Sequence, residues 1–408
     1  MHPPRDDSRP PNESRRLPFA HGPVCSRDVS LPETIRPATA AAQALGFLDS
    51  ATGSFVPPIH PGTTYERGAD NRLLSGRLYS RADNPSYDQA EAVLTHLERG
   101  AASAVFSSGM SAATAVFLSL RPGDHVLVPS VTYWALRSWL AGWARDWGLQ
   151  AEPVDMTDPA GVAAAMRPGK TRLVWIETPA NPTLAVSDIA ALAEIAHRGG
   201  ALLAVDSTFA TPVHTQPIGL GADIVMHSAS KYLNGHSDVI AGTLTAARAD
   251  EHWQRIKAVR SQLGTVLGPF EAWLLLRGMR TLFVRVAEQS RGAMRIARHL
   301  SGRPGIEAVL YPGLETFPGN AVAARQMRGG FGGVLSIRIR GGAQGALDVI
   351  GRLRVWKRAT SLGGVESLVE HRASVEGPQS ATPQDLLRMS VGLEDPEDLI
   401  QDLEQAMG

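Results

Sequence analysis

Lys231 lies in the stretch "HSASKYLNGHSDV", directly after the apolar run "GADIVM" and just behind Ser228 and Ser230. A lysine at the point where a strand gives way to a loop, desolvated by neighbours such as Val225, Met226 and Tyr232, can have its pKa depressed and act as a Schiff-base nucleophile. The two serines offer hydroxyls to a phosphate. Upstream, "LLAVDS" puts Asp206 at a second strand end, where an acid can pair with a pyridinium nitrogen and make the ring an electron sink. A lysine, an acid and phosphate donors are the requirements of pyridoxal phosphate.

Further residues extend the pattern. "FSSGMSAATAVFLSL" reads as strand, glycine turn and helix start, so the backbone N–H groups of Gly109 and Met110 would meet a phosphate at a helix N-terminus. "LYSRADNP" places Tyr79 and Arg81 on one side of an extended segment, an arrangement that suits a phosphate dianion. Tyr133, in "PSVTYWAL" just past another strand, can stack on a flat cofactor face.

The elements that must position these side chains follow from periodicity. Four short apolar runs, "SAVFSS", "HVLVPS", "RLVWIE" and "LLAVDS", each end in a small or polar residue, as strand ends lining a site do. Amphipathic helices alternate with them. In "SYDQAEAVLTHLERG", Ser86 and Gln89 have capping-box spacing, Ala90, Val93, Leu94 and Leu97 share a face, and Gly100 is placed to end the helix. "DIAALAEIAHRGG" is capped by Ser187 or Asp188 and completes a strand, helix, strand unit. The expected fold is α/β, with a mostly parallel sheet flanked by helices. After about residue 275 the texture changes to a helix ("RVAEQSRGAMRIARHL"), a strand ("GGVLSIRIR") and a closing helix capped by Asp395, which predicts a second domain.

Composition narrows the function classes. The chain has 408 residues, and its 40 basic and 40 acidic side chains cancel, with no basic stripe for nucleic acid or an acidic membrane surface. A single cysteine, Cys25, leaves no disulfide framework or CxxC metal site, so no metal is expected and a cytoplasmic location is. No apolar run is long enough to span a membrane. Residues 1–35, rich in proline, arginine and acids at the start, read as a disordered tail. A nicotinamide enzyme is excluded because no GxGxxG follows a strand, and "GGFGGV" precedes one instead.

With these residues assembled, the chain resembles the Cys/Met-metabolism family of pyridoxal-phosphate enzymes, the cystathionine γ-synthase, cystathionine lyase and methionine γ-lyase group. The motifs that carry the resemblance are "YSRADNPS", "FSSGMSA", "ETPANPT", "AVDSTFATP", "HSASKYLNGHSDVIAG", "SLGGVESL" and "LLRMSVGLED", over roughly residues 37–408. It implies the fold-type-I architecture, aspartate aminotransferase-like, with a large seven-stranded sheet domain and a smaller α+β C-terminal domain. The implied division is an arm over 36–78 contacting a partner subunit, a cofactor-binding domain over 79–275 and the small domain over 276–408.

The resemblance also implies roles. Lys231 would hold the cofactor and shuttle protons, Asp206 would pair with the pyridine nitrogen, and Tyr133 would stack on the ring and accept a proton from the incoming amine. Gly109, Met110, Ser228 and Ser230 would bind the phosphate of their own subunit, while Tyr79 and Arg81 would reach that of the neighbour in a homodimer or homotetramer. Arg388 would clamp the substrate α-carboxylate, with Ser361 and Asn181 assisting. Two departures bear on specificity: Thr360 stands where cystathionine-type members carry a glutamate, and Trp134 and Arg137 follow the stacking tyrosine. The implied reaction is γ-elimination or γ-replacement on a sulfur-containing or O-acylated amino acid. Cystathionine β-lyase chemistry remains the alternative, with a non-catalytic scaffold as a distant third that the presence of Lys231 and Asp206 disfavours.

Overall fold

A computed structural model describes residues 32, 34–377 and 382–408. Cys25 and most of the tail expected over 1–35 lie outside the described residues.

Strands β1 (Ala102–Phe106), β2 (His125–Pro129), β3 (Gln150–Val154), β4 (Thr171–Glu177), β5 (Leu202–Asp206), β6 (Ile224–His227) and β7 (Gly242–Ala246) form a seven-stranded sheet in the order β1-β7-β6-β5-β4-β2-β3. Strands β2–β6 run parallel to one another, and β7 runs antiparallel to both β1 and β6. Side chains alternate across the sheet, and both faces are apolar. Trp175, Ala204 and Met226 join one buried cluster, while Val174, Ile176, Val205 and Val225 join another on the opposite face. The sheet is therefore covered by helices on both sides. The same alternation puts Glu177 on the face of Trp175 and Asp206 on that of Ala204, and the β4–β5 register sets Glu177 beside Asp206.

The helices begin where the chain supplies caps. The first long one, Pro85–Glu98, is capped by Asn84, whose side chain accepts from Ser86 N, so the expected Ser86/Gln89 capping box is not the cap. Pro85 occupies its first turn, and Arg99 in the left-handed region, instead of Gly100, ends it. Gly109–Leu118 carries a capping box made by Ser108 and Ser111. Asp188 caps Ile189–Arg198, and Asp395 caps the last helix, Pro396–Met407.

A second, five-stranded sheet follows in the chain: β8 (Ile306–Leu310), β9 (Val334–Ile339), β10 (Lys357–Arg358), β11 (Leu368–His371) and β12 (Leu386–Ser390), in the order β10-β11-β12-β9-β8. Its core side chains Leu335, Ile337, Leu387 and Met389 are buried with Leu399 and Leu403 of the last helix. The β11–β12 register pairs Glu370 with Arg388. Helix Leu282–Leu300 ties this region to the lysine loop: buried Arg285 donates to Tyr232 O at 2.9 Å and to Gly278 O at 2.7 Å. Among the described residues no helix is long and apolar enough to cross a membrane.

Candidate active site

The C-terminal ends of β4, β5 and β6 open on a cavity of about 530 Å³ that includes Lys231, Asp206, Glu177, Ser228 and Arg388 in its lining. Parallel strand ends leave their last side chains beyond the sheet, where loops and helix N-termini close around them.

Lys231 Nζ donates to Ser361 Oγ at 2.8 Å, so the lysine of the large sheet meets a loop that leads into the smaller one. Burial pulls its pKa down to about 8; the Arg388 guanidinium adds to that effect and Glu370 opposes it. Asp206 accepts from Thr208 Oγ1 at 2.6 Å and from Thr208 N at 3.0 Å, both through Oδ1. Burial raises its pKa against these hydrogen bonds. Thr208 Oγ1 accepts in turn from Ser228 N at 2.9 Å, coupling the acid to the loop that precedes the lysine.

One part of the lining carries donors that could hold a phosphate. Gly109 and Met110, whose N–H groups lie in the first turn of their helix, line the cavity with Ser228 and Ser230. The approach is tight: a Cβ on Gly109 would meet Ser228 Oγ at 2.7 Å, so only glycine lets the helix start sit against the end of β6. Ser230 Oγ accepts from Ala241 N at 2.9 Å and donates to Ala241 O at 3.2 Å, so a ligand would have to draw its O–H away from that carbonyl. This donor set, the buried lysine and the buried acid fit pyridoxal phosphate.

Arg388 closes the opposite side. Its Nη2 donates to Ser361 O at 2.8 Å, and its Nη1 donates to Asn181 Oδ1 at 3.3 Å, so Arg388, Ser361 and Asn181 are brought together. Arg388 also pairs with Glu370 at 2.6 Å. Burial lowers its pKa to about 10, with Glu370 opposing.

Tyr133 lines the cavity and is 43% exposed. Its placement depends on Glu177, which the sequence reading did not single out. Glu177 Oε2 accepts from Tyr133 N at 2.8 Å and from Thr132 Oγ1 at 2.7 Å, and its Oε1 accepts from Asn181 N at 2.8 Å. Burial, reinforced by Asp206, pushes its pKa up to about 7. The signal was present, since "RLVWIE" ends in an acid just as "LLAVDS" nearly does. Thr208 was missed as well, and its position two residues after Asp206 is the local clue.

Tyr79 and Arg81 are not in this cavity. Both are exposed, and the Arg81 guanidinium lies 5.4 Å from the Tyr79 ring centre. Among the described residues no group of three or more His, Cys, Asp or Glu side chains is arranged to hold a metal ion.

Comparison with known proteins agrees with this geometry. Residues 38–408 match the model of the Cys/Met metabolism PLP-dependent enzyme family. The cystathionine gamma-synthase of Mycobacterium tuberculosis is 44% identical over 378 residues, covering 91% of this chain and 97% of the relative. The cystathionine gamma-lyase of Bacillus subtilis is 39% identical, covering 88% and 96%. The crystal structure of cystathionine gamma synthase from Xanthomonas oryzae pv. oryzae in complex with cystathionine superposes with a TM-score of 0.87 at 37% identity, over 92% of this chain and 98% of that one. A buried lysine, a buried acid and the Gly109 helix start lining one cavity, set in a chain matched almost end to end, leave one assignment: the protein belongs to the Cys/Met metabolism family of PLP-dependent enzymes.

Proposed function

We propose that this enzyme carries out γ-elimination or γ-replacement on an amino acid with a sulfur or O-acyl substituent, in the cytoplasm, as a homodimer or homotetramer with shared sites. The observation that carries the reading is the convergence of Lys231, Asp206, Arg388 and the Gly109–Ser228 contact in one cavity.

The N–H groups of Gly109 and Met110 and the hydroxyls of Ser228 and Ser230 would hold the phosphate of pyridoxal phosphate. Asp206 would pair with the pyridine nitrogen, and the Tyr133 ring would stack on the cofactor. Bound pyridoxal phosphate supplies an electron sink that lowers the barrier to loss of a Cα proton. Arg388, with Asn181 and Ser361, takes the substrate α-carboxylate. The Tyr133 hydroxyl accepts a proton from the incoming amine. Lys231 Nζ, with its pKa near 8, is suited to take the Cα proton and then one from Cβ. The γ-substituent then departs with its bonding pair; a thiol replaces it, or water carries the remainder to a 2-oxo acid and ammonia. Leu362 after Ser361 and the γ names of the relatives support γ over β chemistry.

Sharing between subunits is supported by the exposure of Tyr79 and Arg81 away from their own cavity. Ile240, in the cavity lining, is 71% exposed, and Leu74 and Leu78, close in sequence to Tyr79 and Arg81, are 69% and 55% exposed, which leaves apolar surface available to a partner.

Borohydride reduction of the holoenzyme followed by peptide mapping tests the assignment. The label is expected on Lys231 and is expected to vanish in Lys231→Ala; label on another lysine would overturn it.

A further inference from the structure

Behind the carboxylate clamp the contacts of Arg388 close into a ring. Glu370 Oε2 lies 2.6 Å from Arg388 Nη2 and accepts from Arg372 Nη1 at 3.1 Å, while its Oε1 accepts from Thr360 Oγ1 at 2.8 Å. Thr360 precedes Ser361, whose carbonyl accepts from Arg388 Nη2 at 2.8 Å and whose Oγ accepts from Lys231 Nζ at 2.8 Å. The path thus runs from Arg388 through Glu370, Thr360 and Ser361 back to Arg388. The side chains of Arg388, Glu370 and Arg372 are 3%, 5% and 4% exposed. Arg388, Thr360 and Ser361 belong to the cavity lining, and Glu370 does not.

A buried guanidinium must have its charge answered. The hydrogen-bond acceptors of Arg388, Ser361 O and Asn181 Oδ1, are neutral, so Glu370, set opposite Arg388 by the β11–β12 register, supplies the countercharge. Arg372 bears on the same carboxylate; without it, two like charges would be held close together in a buried region and would push each other out of place. The backbone of Ser361 depends on the ring as well. Its φ of 114° lies in the left-handed region, which a serine keeps only where its surroundings fix it, and the bond from Thr360 to Glu370 is one of those restraints.

We infer that Glu370 is a positioning residue for the α-carboxylate subsite: from behind the cavity wall it holds Arg388, and through Thr360 the Ser361 backbone, in the arrangement that takes the substrate carboxylate. Glu370 acts through these residues and touches no ligand itself. The inference rests on the Arg388 clamp proposed above and is independent of β or γ regiochemistry.

L-Norleucine and n-pentylamine share an amine and an alkyl chain, and only norleucine carries a carboxylate. The ratio of their dissociation constants on the holoenzyme, read from the visible absorbance of the bound cofactor, isolates the clamp from the rest of the cavity. The unaltered enzyme is expected to prefer norleucine by at least about tenfold. Glu370→Gln keeps the shape of the side chain and removes its charge. It should reduce that preference about tenfold and leave pentylamine binding unchanged, because loss of one member of a buried ion pair displaces the other. Glu370→Asp, with the charge on a shorter stem, should reduce it about threefold. An unchanged ratio would overturn the inference. So would tighter norleucine binding in Glu370→Gln, which would make Glu370 a rival of the substrate for Arg388, and so would equal weakening of both ligands, which is the mark of a merely structural residue. If Glu370→Gln does not fold, Glu370→Asp decides by the same readings. No preference for norleucine in the unaltered enzyme would instead refute the clamp, and this inference with it.

Discussion

Burial, assisted by the Arg388 guanidinium, holds Lys231 near pKa 8, and only its unprotonated form attacks a carbonyl. Below pH 8 the amine is mostly ammonium, and above it mostly free. Apoprotein should therefore capture pyridoxal phosphate at a rate that rises with pH and reaches half its plateau near pH 8; a half-rise near the usual lysine value of about 10.4 would contradict the buried setting. Glu177 is the second residue on which the site turns. Glu177→Ala removes the acceptor of Tyr133 N, Asn181 N and Thr132 Oγ1. Small misplacements cost about 100-fold, so kcat/KM should fall by that order while the bound-cofactor absorbance is retained. Asp206 was legible in the sequence because it closes an apolar run, and Lys231 because it stands in the loop just after another. Glu177 closes one too, yet its three hydrogen bonds are made by residues up to 45 positions away, which no local pattern displays. The Glu370 network was still less legible, since it depends on the β11–β12 register that pairs Glu370 with Arg388.

Helix caps and strand alternation fix the elements that carry these residues. Asn84 does more than cap Pro85–Glu98: its Nδ2 donates to His60 O at 3.0 Å and to Ser80 Oγ at 3.1 Å, tethering the segment that bears Tyr79 and Arg81. Asn84→Ala should lower stability by about 1–2 kcal/mol, a loss read from the midpoint of denaturant unfolding, and an unchanged midpoint would count against this tether. Sequence periodicity located this helix but assigned its cap to Ser86, because the spacing of Ser86 and Gln89 imitates a capping box while Asn84 and Pro85 supply the actual start. The strand runs were equally readable, since both faces of the sheet are buried and the runs are continuously apolar. The antiparallel direction of β7 was not, because pairing direction leaves no mark on an apolar run.

At the scale of the whole molecule, the cavity in one chain brings together Lys231, Asp206 and Arg388, whereas Tyr79 and Arg81 lie outside it. If these two complete the site of a neighbour, an inactive Arg81→Ala protein mixed with an inactive Lys231→Ala protein should regain activity in about a quarter of its sites, the random-mixing expectation for a dimer. No recovery, once subunit exchange is verified, would refute sharing. The central claim is that the assembled site acts at Cγ, and this requires protons to move at Cβ as well as at Cα. Turnover in D₂O, with the product examined by mass spectrometry and NMR, tests it most directly. The account predicts 2-oxobutyrate or a γ-replaced amino acid carrying deuterium at the Cβ-derived position; pyruvate as the sole keto acid from cystathionine would contradict it.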